Sequence, residues 1–269
     1  MDAKVESRNV KLYLAGKAVS QSGTALYTFA AGWHVVAVTG SAASFGLTLA
    51  LGILPMVLVM PLAGVLADRL DRKRMVVGMD VLNGLWFLGM GLFAALNGLS
   101  LGAVYVTAVV TTVLTTLFSV SLEASKLALV TGQRLMGRNA SSRVVESVVS
   151  VAGPVFGGLV YGCLGIEAFL WINGISFLLS AFSERWMRFE GLDRAEGRED
   201  QKKTAAWSAL FQALAEGWSA VWSDSELKAL AWKLMAINFF IGLCVSVPLP
   251  YVLHRGFEEG ERILGLVQG

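Results

Sequence analysis

Six charged residues crowd into seven positions, Asp68, Arg69, Asp71, Arg72, Lys73 and Arg74, between two long stretches that hold no charge at all. Such a knot of charge cannot sit in the apolar core of a bilayer and reads as the turn where two transmembrane helices meet at the cytoplasmic face. Other ionisable groups stand alone in apolar surroundings: Lys17, Asp80 and Glu146, the last one helical turn from Arg143. Charge at membrane depth is costly, so these residues are candidates for coupling or for ion pairing. Plainer readings stand beside that one. Glu146 and Arg143 have the spacing of a local i, i+3 pair, and Asp80 could snorkel back to the nearer surface. Gln21 and, nearer the far side, His34 are the remaining polar groups of this kind.

Covalent chemistry finds little to work with. There is no His-Glu-x-x-His pattern, no Ser or Asp dyad at membrane depth and no nucleotide-binding loop, so an intramembrane enzyme is not expected. Cys163 and Cys244 both lie in apolar runs without metal-ligand spacing and read as packing residues. No cofactor or metal is expected.

The elements that must hold the charged cluster are transmembrane helices. With 55% hydrophobic and 16% charged residues, a 269-residue chain lacks the polar surface of a soluble globule. No Lys, Arg, Asp or Glu occurs from Ala18 to Ala67, or from Val81 to Leu122. A bilayer crossing takes about 20 apolar residues, so each run crosses twice. Thr39-Gly40-Ser41 and Asn97-Gly98 break them in the middle. The reading is an all-α integral membrane protein with spans at about 12–38, 42–67, 75–96, 99–122, 144–164 and 168–186, then a seventh at about 234–253 and the first turn of an eighth, cut short. The first span is too long for a cleavable signal and is expected to act as an anchor.

Basic residues set the orientation. With the N-terminus in the cytoplasm, every lysine and arginine of the 22 except Arg255 and Arg262 falls on or beside the inner face. The net charge of +2 is spread along the chain, so nucleic acid is not expected as a ligand. Residues 190–228 read as a cytoplasmic linker, whose Trp207, Leu210, Phe211, Leu214, Trp218, Val221 and Trp222 recur at helical spacing as in an amphipathic helix at the membrane interface. The expected divisions are thus a six-helix bundle over 1–189, this linker, and the start of a second bundle over 229–269.

Pro61-x-x-Gly64-x-Leu66 in span 2 recurs as Pro154-x-x-Gly157-x-Leu159 in span 5, and the two spans run in opposite directions. That is the pattern of two inverted three-helix repeats. Gly64-x-Leu66-Ala67-Asp68-Arg69-x-x-Arg72-Lys73-Arg74 resembles the loop signature between helices 2 and 3 of the major facilitator superfamily. Gly153-Pro154-Val155-Phe156-Gly157-Gly158 resembles the end of the antiporter motif in helix 5 of that superfamily's drug:proton exporters. The chain as a whole looks most like the bacterial macrolide-efflux type.

The resemblance implies a secondary exporter of hydrophobic or amphipathic small molecules in the bacterial cytoplasmic membrane, using proton antiport and alternating access. It implies that Gly64, Asp68, Arg69, Asp71, Arg72 and Lys73 form a cytoplasmic gate. In that gate Gly64 allows close helix approach, and Asp68 pairs with a base such as Arg138 or Arg143. Asp71 stands where the superfamily often has Gly. On a second reading Arg69, Arg72, Lys73 and Arg74 serve only as positive-inside anchors. Gly153, Pro154, Gly157 and Gly158 are expected to bend and tightly pack helix 5. Exporters of this type often carry an acid in helix 1 near Ser22-Gly23, where this chain has Thr24. Trp33, Tyr27, Phe29, Trp86 and Phe118 would line a substrate path if they face the bundle interior. Seven complete spans fall short of the superfamily's twelve. The alternative expectation is therefore a truncated, non-transporting product or a membrane assembly subunit, and transport would call for self-association or a missing C-terminal half.

Overall fold

A computed structural model describes residues 3–129, 133–187 and 222–269, together with Glu216 and Ser219. Every regular element among them is helical. The helices are α1 (Ala3–Thr39), α2 (Ala42–Arg69), α3 (Arg72–Asn97), α4 (Leu101–Leu129), α5 (Gln133–Arg185), α6 (Ser225–Ile241), a π-helical turn (Gly242–Ser246), α7 (Pro248–Gly256) and α8 (Gly260–Gln268). Residues 1–191 and 250–269 form one compact unit and residues 192–249 a second.

Local chemistry starts and stops these helices. Ser41 caps α2 by accepting from the Ser44 amide at 3.3 Å, and Asp71 caps α3 by accepting from the Arg74 amide at 3.1 Å. Gly98, at φ 75°, ends α3 in a conformation that a side chain disfavours. α5 has 53 residues, about 80 Å at 1.5 Å per residue, too long for one crossing. It breaks at Gly165 (φ 64°, ψ −178°), and its two arms are the fifth and sixth expected spans.

Contacts give the helix directions. A Cβ on Gly153 would lie 2.6 Å from Ala25 Cβ and one on Gly157 2.8 Å from Phe29 Cδ1, so the first arm of α5 runs parallel to α1. Gly23 lies against Asn173 and Gly16 against Ser180, so the second arm runs antiparallel to it. Gly84 meets Leu178 and Gly91 meets Trp171, which sets α3 antiparallel to that same arm. Tyr105 donates to the Ser44 carbonyl at 3.2 Å and Thr112 to that of Gly52 at 3.2 Å, placing α4 parallel to α2.

Among the described residues, five segments are long and apolar enough to cross a membrane: 42–67, 72–97, 101–125, 139–185 and 225–256. α1 is not among them, although it is the most enclosed helix of its unit. Its Tyr27, Phe29, Ala30, Ala31, Trp33, Val35 and Val36 are all buried against neighbours, so it need not be apolar enough to face lipid. The large apolar residues that stay exposed, such as Leu58, Leu85, Val148 and Phe182, form the surface a bilayer would cover.

Some expectations need correction. The last span begins at Ser225, nine residues before the expected 234, because Asp224 caps the helix by accepting from the amides of Glu226 and Leu227. Cys163 and Cys244 are exposed rather than packed, since both lie on outward faces of their spans. Of the expected amphipathic stripe, only Trp222 is among the described residues.

Candidate functional site

A cavity of about 550 Å³ opens between α1, α2, α4 and the first arm of α5, with α8 closing one side through Leu264 and Gln268. Tyr27, Phe29, Trp33 and Phe45 supply aromatic faces, and Thr24, Thr28, Thr48, Thr111, Thr112 and Thr115 supply hydroxyls. Among the described residues, no Lys, Arg, Asp, Glu or His lines it. All six threonines sit on helices, where the hydroxyl can donate back to the preceding turn. Thr48 and Thr115 do so at 3.0 and 2.7 Å, whereas the Thr111 hydroxyl is buried without a partner. Such a lining can hold a largely apolar molecule and offer it a few hydrogen bonds.

Trp33 separates this cavity from a second of about 480 Å³, lined by His254, Arg255, Phe257, Glu258 and Glu261. The Trp33 ring meets His254 edge-on at 5.6 Å and is itself buried. The two spaces differ sharply in chemistry, one free of charge and one rich in it.

Glycines in the first arm of α5 let it lie between α1 and α8. Gly153 and Gly157 face α1, while Gly158 packs on the backbone of Glu261 and Gly162 on its side chain. Gly265 of α8 in turn packs against the backbone of Pro154. Small residues at these crossings allow backbone-to-backbone approach that any side chain would prevent.

The sequence matches the Major Facilitator Superfamily over residues 14–268. The chain belongs to that superfamily. Among curated proteins it is 25% identical to "Macrolide efflux protein A" of Streptococcus pyogenes, over 99% of this chain and 68% of that protein. It is likewise 25% identical to its namesake in Enterococcus faecalis (86% and 73%) and to "Multidrug efflux pump Tap" of Mycolicibacterium fortuitum (82% and 54%). The superfamily makes this a multi-pass membrane transporter rather than an enzyme, with efflux proteins among its relatives.

At the end of the bundle that holds Asp71, Arg72, Lys73 and Arg74, the basic end, the side chains of Asp68, Arg69 and Arg138 lie outside the described residues. Arg72 donates to the carbonyls of Ala67 at 3.1 Å and Ala124 at 2.9 Å, tying the start of α3 to the ends of α2 and α4. Asp71 has a local job: besides capping α3 it pairs with Arg74 at 3.4 Å, both largely exposed. Lys73 is half-buried in the same turn. Gly64 faces open space, with nothing within 4 Å of where its Cβ would be. Among the described residues α2 packs mainly on α4, and Gly64 is not at that contact.

Lys17 and Glu146 meet between α1 and α5 at 2.6 Å. Lys17 also donates to the Tyr13 hydroxyl at 3.3 Å, and Ser142 donates to the same oxygen at 3.3 Å. Arg143 reaches Glu146 at 3.6 Å from a largely exposed position, so Lys17 is the closer partner. Asp80 does not snorkel. It is 1% exposed, on the face of α3 that meets the second arm of α5, because reaching the surface would mean leaving a packed helix interface. Sequence reading missed its neighbour Glu184, which is 2% exposed on that arm. Glu184 borders a charged run and reads as part of it, yet Asn173, Ser176 and Ser180 precede it at helical spacing and mark a buried polar face.

The aromatic candidates divide. Tyr27, Phe29 and Trp33 line the charge-free cavity, whereas Phe118 packs on an apolar cluster at the basic end and Trp86 lies outside the lining.

Proposed function

We propose that this chain works in the export of hydrophobic or amphipathic small molecules from a bacterial cell, by proton antiport and alternating access. The observation that carries the reading is the charge-free cavity of about 550 Å³, with aromatic walls and a threonine-rich face. Apolar surface and scattered hydroxyls select for lipophilicity rather than for one charge pattern. The efflux relatives agree with it. In this reading the basic end faces the cytoplasm, as does the N-terminus, and the protein sits in the cytoplasmic membrane. Residues 1–189 form a bundle of two inverted three-helix repeats, 190–228 the linker, and 229–269 the first elements of the other half.

Gly64, Asp68, Arg69, Asp71, Arg72 and Lys73 form the cytoplasmic gate, and the ties from Arg72 to two helix ends support that role for it. Gly153, Pro154, Gly157 and Gly158 hold α5 against α1 and α8, so a shift in either neighbour is felt along the cavity wall. The test is extrusion of a lipophilic fluorescent dye from cells with membrane insertion verified, comparing intact, gradient-collapsed and Asp68→Asn samples. Gradient-dependent extrusion that Asp68→Asn abolishes is the expected result. Inserted protein that extrudes nothing across a broad dye panel would count against export.

A further inference from the structure

Asp80 and Glu184 are buried to 1% and 2% exposure at the interface of α3 with the second arm of α5. Ser180, one turn before Glu184 and wholly buried, donates to Glu184 Oε1 at 3.5 Å and makes no hydrogen bond to Asp80. One hydroxyl carries one proton and cannot serve two carboxylates. Accordingly both oxygens of Asp80 and Oε2 of Glu184 are buried without a hydrogen-bond partner. A native fold rarely leaves three carboxylate oxygens unpaired in its interior without a use for them.

We propose that Asp80 and Glu184 together form the proton-carrying site of this transporter, deepening the antiport reading on which the proposal rests.

The surroundings favour a proton over an internal counter-ion. From α1 the groups at this level are Tyr13 and Lys17, whose ammonium sits on Glu146, the buried but uncharged Asn9, and Arg8 and Lys11, both exposed. From α4 they are Ser121 and Ser125, which donate within their own helix, while Glu123 is turned outward and exposed. Arg185, next to Glu184, is also exposed. Among the described residues no cation acts on either carboxylate; the charge that Glu184 feels is that of Asp80.

Access is built in on one side and closed on the other. Val76 stands one turn from Asp80 and Met187 three residues beyond Glu184, and with Tyr13 and Leu122 they make a buried apolar plug toward the basic end. In the other direction the same face of α5 continues as Ser176 and Asn173. Ser176 donates to Asn173 Oδ1 at 3.3 Å, and Thr24, a cavity-lining residue, reaches that oxygen at 3.5 Å. Ser176 and Ser180 are one helical turn apart, so a polar line joins the acid pair to the cavity. In the transport step one carboxylate oxygen gains a proton from the side to which the cavity is open. It releases that proton when the plug opens, with no other reactant consumed.

The test uses the full chain in detergent micelles and in vesicles. Infrared difference spectra on acidification should show a protonated-carboxyl C=O band that is lost in Asp80→Asn and in Glu184→Gln. The band should shift in Ser180→Ala, which keeps both acids and removes the one hydroxyl that bonds to Glu184. Dye binding, read by quenching of tryptophan fluorescence, should tighten as pH rises in the unsubstituted protein and lose that slope in folded Asp80→Asn or Glu184→Gln. A band unchanged in all three variants overturns the proposal, as does proton-driven export that persists in the two acid variants. A band that responds to sodium rather than to pH also overturns it. A titrating band in a protein that neither binds nor exports dye removes the export reading and leaves the proton site standing.

Discussion

Lys17 Nζ and Glu146 Oε1 are 2.6 Å apart although 129 residues separate them in the chain. The pair fastens α1 to α5 at the level of Tyr13 and Ser142, and it is only part-buried, the Glu146 side chain being 37% exposed. Breaking it by Lys17→Met or Glu146→Gln leaves the other charge without its nearest partner. Each single change should cost about 1–3 kcal/mol, less than the roughly 3–5 of a fully buried pair because Glu146 keeps solvent and Arg143. The double variant should recover part of that loss. Thermal unfolding of the four proteins in detergent gives the coupling directly, and additive losses would mean that the pair is not a fastening.

Glycines of one motif should differ from those of the other. Gly153→Ala places a methyl 2.6 Å from Ala25 Cβ, and Gly157→Ala one 2.8 Å from Phe29 Cδ1, so each forces α1 and α5 apart. Each should destabilise by about 1–3 kcal/mol. Gly64→Ala meets nothing and gains up to about 1 kcal/mol of helix propensity. Its midpoint temperature should stay level or rise, whatever happens to transport.

Asp71 can be tested as a cap apart from its charge. Asparagine caps helices as well as aspartate does, whereas Asp71→Ala should lose about 0.5–2 kcal/mol. Asp71→Asn should therefore keep the stability of the unsubstituted protein. If it also keeps dye extrusion, the carboxylate serves α3 alone; if extrusion falls while stability holds, the charge belongs to the gate.

Thr111 lines the cavity and its hydroxyl is buried without a hydrogen-bond partner, so a ligand oxygen pressed against this wall would find a donor that no other group uses. Thr111→Val preserves shape and removes the donor. Affinity for a lipophilic ligand carrying an ether or carbonyl oxygen should weaken by about 0.5–1.5 kcal/mol, up to roughly tenfold. Binding of a pure hydrocarbon probe should hardly move. Equal losses for both ligands would take Thr111 out of the binding surface.

Sequence by itself determined the membrane class, the turns at Thr39-Gly40-Ser41 and Asn97-Gly98, the reversal between spans 5 and 6, and the family. Each rests on a local or one-dimensional signal: the length of uncharged runs, the backbone needs of glycine, and a motif of fixed spacing. What it could not determine was which polar groups meet. Lys17 and Glu146, or Asp80 and Glu184, lie on different helices, and their encounter depends on helix rotation and packing, for which one sequence carries no register. Likewise Tyr27 and Phe29 became cavity walls while Phe118 joined a core, although all three are aromatics in apolar spans. Hydropathy reports that a residue avoids water. Only the packed bundle decides whether lipid, a neighbouring helix or a cavity replaces it.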